Sequence, residues 1–207
     1  LSPGALVSLF GTGLASSAQS ASFLPLPTRL GDTSVTFNGI PAPLLYVSSG
    51  QVNAQIPFEV PSGEVMVKLT RGGYSSARPV RLARFSPGIF RGVLPTVLHG
   101  DTFHAVTASN PARRGEELVI YCTGLGPLKS PVPSGTAAAS AVETEAAPQV
   151  TIGAVSALVR YSGAAPGFAG VYQVNVQVPD RAPTGATVQV VLSIGGVTAP
   201  TVNVAVQ

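Results

Sequence analysis

His99 and His104 bracket Asp101 in the stretch His99-Gly100-Asp101-Thr102-Phe103-His104, and the 207-residue chain has no other histidine. Two imidazoles and a carboxylate in one loop could touch a metal ion, but a zinc site needs three or four converging ligands. Gly100-Asp101 is accounted for by turn chemistry alone. A serine or cysteine nucleophile would need a base and an orienting acid, and neither histidine lies near a Gly-x-Ser-x-Gly elbow. Cys122 is the single cysteine. It excludes an internal disulfide and a thiolate cluster, and inside an apolar strand it reads as a buried, inert thiol. Glu116 and Glu117 are adjacent on a strand and point to opposite faces, Glu143 and Glu145 fall in a loose loop, and no D-x-D calcium pattern occurs. Gly11-Thr12-Gly13 lacks the following helix and the full glycine spacing of a phosphate loop. The sequence therefore predicts no catalytic, cofactor-binding or metal-binding residues, no cofactor, and a protein that is not an enzyme.

Binding is better served. Glycan recognition on a sheet relies on aromatic rings and a few placed polar groups. Tryptophan is absent, so Tyr46, Tyr74 and Tyr161 are the tyrosines left to form a platform. The amides Gln51, Asn53 and Gln55, with their counterparts Gln173, Asn175 and Gln177, could ladder with a partner and read most simply as a polar outer face. Seven of the twelve Lys and Arg fall between Arg71 and Arg114. No reading helix or interleaved aromatics accompany them, so nucleic acid is not an expected partner and a solvated basic face is. No apolar run approaches the ~18–20 residues of a membrane span.

What positions these side chains is a repeat. Gln51-Val52-Asn53-Ala54-Gln55-Ile56-Pro57 returns as Gln173-Val174-Asn175-Val176-Gln177-Val178-Pro179, and the following Pro61-Ser62-Gly63 returns as Pro183-Thr184-Gly185. Strict alternation of apolar and amide residues is the signature of a half-buried strand, here ended by a proline that cannot donate to a ladder. Gly11-Thr12-Gly13-Leu14 matches Cys122-Thr123-Gly124-Leu125, and Val65, Val67 and Leu69 match Val188, Val190 and Leu192. Asn38-Gly39, Gly72-Gly73 and Gly195-Gly196 mark tight hairpins. The alanine run 137–141 could form one helical turn. Charged residues are 10% of the chain against 45% hydrophobic, far below the ~25% charged of an average protein, which suits turn-rich β structure.

The expected fold is all-β: two tandem immunoglobulin-like β-sandwiches joined by an inserted β-hairpin. Residues 1–86 form the first module, 87–112 the linking hairpin and 113–207 the second module. Val93 to Leu98 and Thr102 to Thr107 should be the arms of that hairpin, which being apolar should pack between the modules. Val52, Ile56, Val65, Val67, Val174, Val176, Val178, Val190 and Leu192 should be buried, with Gln51, Asn53, Gln173 and Asn175 facing away from the cores.

Read in order, PGALVSLFGTGLA, LPLPTRLGDTSVTFNGIPAPLLYVSSGQVNAQIP, SPGIF, ARRGEELVIYCTGLGP, PGFAGVYQVNVQVP and SIGGVTAPTVNVAVQ resemble the C-terminal domain family of large secreted and surface proteins described mainly from acidobacteria. The resemblance runs end to end, and each half is similar to an IPT/TIG immunoglobulin-like domain. It implies a bacterial extracellular or cell-surface location and a non-enzymatic character, and carries over no functional residue. The chain opens at Leu1 without methionine or signal peptide, as a processed or excised piece would.

The terminal strands raise a further expectation. Leu6, Val7, Leu9 and Phe10 at one end, and Val202, Val204 and Val206 at the other, lie in strands without charge. Uncharged edges invite strand addition. The chain is therefore expected to self-associate as a homo-oligomer or filament, a structural subunit of a surface filament or sheath. The alternative is a monomeric adhesion module whose partner is a surface glycan.

Overall fold

The computed structural model describes residues 1–91 and 97–207, and no helix occurs among them. Residues 93–96 of the expected hairpin lie outside the described residues. The first half contains β1 (Leu6–Phe10), β2 (Gln19–Ser20), β3 (Arg29–Leu30), β4 (Thr33–Phe37), β5 (Ile40–Pro41), β6 (Leu44–Val47), β7 (Gln51–Gln55), β8 (Gly63–Arg71) and β9 (Tyr74–Leu82). Two short strands follow, β10 (Gly88–Ile89) and β11 (Val97–His99). The second half contains β12 (Glu117–Thr123), β13 (Val142–Glu143), β14 (Gln149–Ile152), β15 (Val155–Ala164), β16 (Tyr172–Gln177), β17 (Gly185–Ile194), β18 (Val197–Thr198) and β19 (Val202–Val206).

The protein is all-β, with its strands in several sheets. One sheet of the first half runs β1-β7-β6-β2 and the other β3-β4-β8-β9, with β5 on β4. In the second half β12-β16-β15 repeats the pairing of β1-β7-β6, and β14-β17 repeats that of β4-β8. The second half is continuous because β15 pairs with β14 through Val155–Ala157 and with β16 from Leu158 onward. The turns follow from local chemistry. Asn38 and Gly39 both adopt positive φ, 48° and 84°, between the paired residues Phe37 and Ile40. Such a two-residue primed turn matches the twist of the strands it joins.

Alternation places the cores. Val52, Ile56, Val65 and Val67 belong to one buried cluster, and Val174, Val176, Val178, Val190 and Leu192 to another, so each half has its own apolar core. Tyr172 follows the inward parity of β16, is buried, and donates its hydroxyl to the Gly126 carbonyl at 2.6 Å. The alanine run forms no helical turn; Ala138 instead bridges in parallel to Pro166. Extended backbone is what the preceding prolines favour.

The linking segment adds to the second half, since β10 and β11 both pair with β12. A second connection holds the halves together, and the sequence did not single it out. Ser134-Gly135, at the tip of the long loop after β12, docks on the first half. Ser134 Oγ accepts from the Phe58 amide at 2.9 Å and donates to Glu59 Oε2 at 2.7 Å. Gly135 accepts from the Leu26 amide and donates to Gln55 Oε1, both at 2.7 Å. Gln55 thus departs from the outward row to which its parity assigns it: it is fully buried at the junction, where its Nε2 also donates to the Gly4 carbonyl. At a second point the Leu6 amide donates to Thr123 Oγ1 at 2.9 Å.

Two stability predictions follow from this packing. Leu192→Ala should cost about 2–5 kcal/mol in urea unfolding, whereas Met66→Ala, at a half-exposed position on β8, should stay within about 0.5 kcal/mol. Gln55→Leu should cost about 1–3 kcal/mol, because it strands the buried Gly135 amide without an acceptor.

Candidate functional site

β7 and β16 are each flanked on both sides, by β1 and β6 and by β12 and β15 respectively. Their inward residues fill the cores, so Gln51, Asn53, Gln173 and Asn175 face outward, as the alternation predicts. Strand register then decides what surrounds them. Phe10 on β1 stands opposite Gln51, and Tyr46 on β6 stands opposite Asn53. In the second half Tyr121 on β12 stands opposite Gln173, and Tyr161 on β15 stands opposite Asn175. An aromatic therefore borders the amide row on each side, and the arrangement occurs twice.

The two copies share finer details. A register shift falls between Leu44 and Tyr46 on β6 and between Val159 and Tyr161 on β15, so one bulged residue precedes each tyrosine. Bulges re-aim the side chains beside them; without this one, the tyrosines would follow the parity of the core. Gln51 Nε2 donates to Asn53 Oδ1 at 2.7 Å, and Gln173 Nε2 donates to Asn175 Oδ1 at 2.8 Å. Each glutamine is oriented by its asparagine, and among the described residues Gln51 Oε1 and Gln173 Oε1 accept no hydrogen bond. Ser8 Oγ adds a bond to Asn53 Oδ1, and Asn175 Nδ2 donates to Glu117 Oε1.

The two rings of the second half are held by local packing, and Phe10 of the first half stands free. Phe10 is 75% exposed. Tyr121 packs against Phe168 with ring centroids 6.0 Å apart at 58°. Tyr161 donates to the Ala164 carbonyl at 2.9 Å, and its ring lies over Gly163, where a Cβ would stand 2.4 Å from Tyr161 Oη and 2.2 Å from the Val142 carbonyl. Burial pushes the Tyr161 phenol up, with the Val142 hydrogen bond opposing and Glu143 reinforcing that shift. The hydroxyl is accordingly a neutral donor that fixes the ring.

The sequence named Tyr46 and Tyr161 but passed over Tyr121 and took Phe10 only as part of an edge. Their shared signal was available: the match of Gly11 with Cys122 places Phe10 and Tyr121 at the same position of the repeat. Tyr74 is 85% exposed at the start of β9, in the other sheet and beside neither amide row.

The remaining candidate chemistry is structural. His99 is buried on β11, with Nδ1 2.8 Å from Glu116 Oε1 and Nε2 3.2 Å from the Asn110 carbonyl. It ties the linking segment to the start of β12. Asp101 and His104 are exposed in the turn, and no group of three or more metal-ligating side chains occurs among the described residues. Cys122 is buried, which pushes its thiol far above the usual range. Glu117 faces the second amide row, while Glu143 pairs with Lys129 and Glu145 with Arg84. A cleft of about 730 Å³ opens at the junction of the halves between Phe58, Glu59, Arg84, Lys129 and Glu145. Its carboxylates are engaged, Glu59 by Ser134 and Glu145 by Arg84.

Both terminal strands are paired. β1 lies along β7, and Leu6 is further capped by Thr123. β19 lies along β17, Val206 bridges Ala112, and Val204 and Val206 are buried while Val202 is half-buried. Leu6, Val7 and Leu9 are also half-buried. The outer edge of β1 beyond Leu6, and that of β19 ahead of its bridge to Ala112, are what this leaves for strand addition.

No family model and no curated protein matches the chain. Among solved structures it is similar to SGBP-B of the Bacteroides ovatus mixed-linkage glucan utilization locus, in complex with a mixed-linkage heptasaccharide. The two are 13% identical with a TM-score of 0.38 over 100% of this chain and 42% of that one. It is also similar to an endo-fucoidan hydrolase from glycoside hydrolase family 107, at 11% identity and a TM-score of 0.20 over 97% of this chain and 28% of that one. This chain spans less than half the length of either protein.

Gly163→Ala tests the support of the second aromatic border. The added methyl meets backbone on β13 and the Tyr161 ring together, so the variant should lose about 1–3 kcal/mol by overpacking. The Tyr161 ring resonances should move in an NMR spectrum while those of Tyr46 stay in place.

Proposed function

We propose that this chain is a non-catalytic bacterial surface or extracellular module that binds glycan through its two aromatic–amide faces. The observation that carries the reading is the repetition itself. Phe10, Gln51, Asn53 and Tyr46 in one half, and Tyr121, Gln173, Asn175 and Tyr161 in the other, stand in matching cross-strand positions beside matching bulges. Carbohydrate offers C–H faces to aromatic rings and hydroxyl pairs to fixed amides, and both kinds of group are present in each copy. The surface or extracellular location rests on the resemblance to secreted and surface C-terminal domains.

Self-association through the chain ends is the second reading. It is favoured by the uncharged outer edge of β1 and the exposure of Phe10. Light scattering after size exclusion separates the two, since the filament reading requires assembly at high concentration and the glycan reading is served by a monomer.

Affinity electrophoresis in gels cast with soluble polysaccharides tests the glycan reading. Retardation of the wild type by at least one polysaccharide is expected. It should be reduced in Tyr121→Ala and in Phe10→Ala and kept in Lys129→Ala, which alters the junction cleft instead. Retention unchanged in both aromatic variants would refute these faces as the site.

A further inference from the structure

Taking the glycan reading as its basis, we infer that each face binds an extended, uncharged, β-linked polysaccharide that lies across the strands rather than along them. In the second half Tyr121, Gln173 and Gly163 occupy one row across β12, β16 and β15. The Tyr161 ring covers Gly163, so the row reads aromatic, amide, aromatic at right angles to the strands. Neighbouring strands are about 4.8 Å apart, which sets the flanking positions about 10 Å from each other. Phe10 and Tyr46 are carried by the two outer strands of the corresponding trio β1-β7-β6, opposite Gln51 and Asn53 respectively, and so span the same strands on a diagonal.

A span of that width covers two sugar units of an extended chain. In an extended β-linked chain, alternate pyranoses turn the same face to one side. Units one and three then rest on the two rings, and unit two presents its hydroxyls to the central glutamine. That glutamine is fixed by its asparagine and keeps Oε1 unoccupied among the described residues. An α-linked helical chain curves away from a flat face over the same distance, so it meets one ring and misses the other.

Charge narrows the ligand further. The first face, made of Phe10, Ser8, Gln51, Asn53 and Tyr46, contains no ionisable side chain other than the tyrosine. The second contains Glu117 and Arg160, one of each sign, held by Asn175 and Gln177 respectively. Arg91 lines a pocket beside Ser8 and Asn53 at the edge of the first face, a single cation whose guanidinium also donates to the Thr201 carbonyl, so neither face presents the cluster of cations that a polyuronate or a sulfated chain would call for.

The test uses the full chain and three probes: cellohexaose, maltohexaose and polygalacturonate. ¹H–¹⁵N spectra should show cellohexaose shifting the side-chain amides of Gln51, Asn53, Gln173 and Asn175, as two separate sites. Maltohexaose should bind at least tenfold more weakly, and polygalacturonate should shift none of these amides. Tyr121→Ala should weaken cellohexaose binding about tenfold at the second site alone. Gln173→Glu, which keeps the side-chain shape and adds a charge at an outward position, should weaken the same site and leave the melting temperature unchanged. Equal or stronger binding of maltohexaose or polygalacturonate at these amides would overturn the inference and leave the glycan reading standing. Shifts confined to other residues, or no binding to any of the three together with no retardation by any polysaccharide, would overturn both.

Discussion

The constraint on which the rest depends is the period-two alternation of β7 and β16. A strand has only two faces, and once valine, alanine and isoleucine take the inner one, the amides of the same strand are committed to the outer one. Because β7 and β16 are flanked on both sides, their outer residues border two neighbouring strands, not one. Any aromatic on those neighbours, at the right register, is brought beside an amide without further design. Core packing and surface display are set by the same residues: a one-residue slip of β16 would bury Gln173 and Asn175 and expose Val174 and Val176.

The same rule accounts for its one departure. Gln55 and Gln177 are equivalent in the repeat, yet Gln55 is buried and Gln177 is half-buried on the outer face, where it bonds to the Gly115 carbonyl and Arg160. Both have the outward parity. Gln55 stands at the end of β7 where the Ser134-Gly135 tip covers the face, and its amide satisfies a donor that would otherwise be buried unpaired. An unpaired buried N–H is a substantial penalty, so a polar side chain at that point stabilises the junction where an apolar one would not. The amide row thus faces outward over most of its length and serves docking between the halves at its end.

The alternation, the repeated turns and the buried valines were legible because each depends on residues within a few positions of one another. Tyr172 was legible for the same reason. The aromatic borders were only half legible: Tyr46 and Tyr161 were visible as tyrosines, but their alignment with Asn53 and Asn175 depends on a bulge, and a bulge has no reliable composition. Phe10 and Tyr121 could have been paired from the repeat, yet strand order was needed to show that they flank β7 and β16. The Ser134-Gly135 dock was not legible. It joins a serine and a glycine of a proline-rich loop to Leu26, Gln55 and Phe58, positions separated by 76 or more residues, and nothing in the local pattern of either side announces the other. His99 and Asp101, prominent in the sequence as chemistry, become a strand-end tie and an exposed turn once β11 is laid on β12.

How the remaining surfaces are managed bears on why the two faces stand out. Exposed edges are the usual hazard of β structure, and this chain treats them individually. β9, the long edge of its sheet, carries Arg78, Pro79 and Arg81, a proline and two charges of the kind that discourage further pairing. β19 is bridged by Ala112 at its end, and β1 is capped by Thr123 at its start. The faces of β7 and β16 receive no comparable guard. An outer face needed only for solubility would be expected to carry lysine and glutamate, which interact well with water and repel partners. The central strands of these faces carry neutral amides held in one orientation, with aromatic rings at their borders, groups that would gain more from the flat, hydroxylated ligand proposed for them than from water. The scarcity of charge across the chain is therefore not uniform in its meaning: on the edge strand β9 charge and proline act as guards, whereas the central strands β7 and β16 carry neither, and the charges of the second face, Glu117 and Arg160, stand on the strands beside β16 and are bonded to its amides.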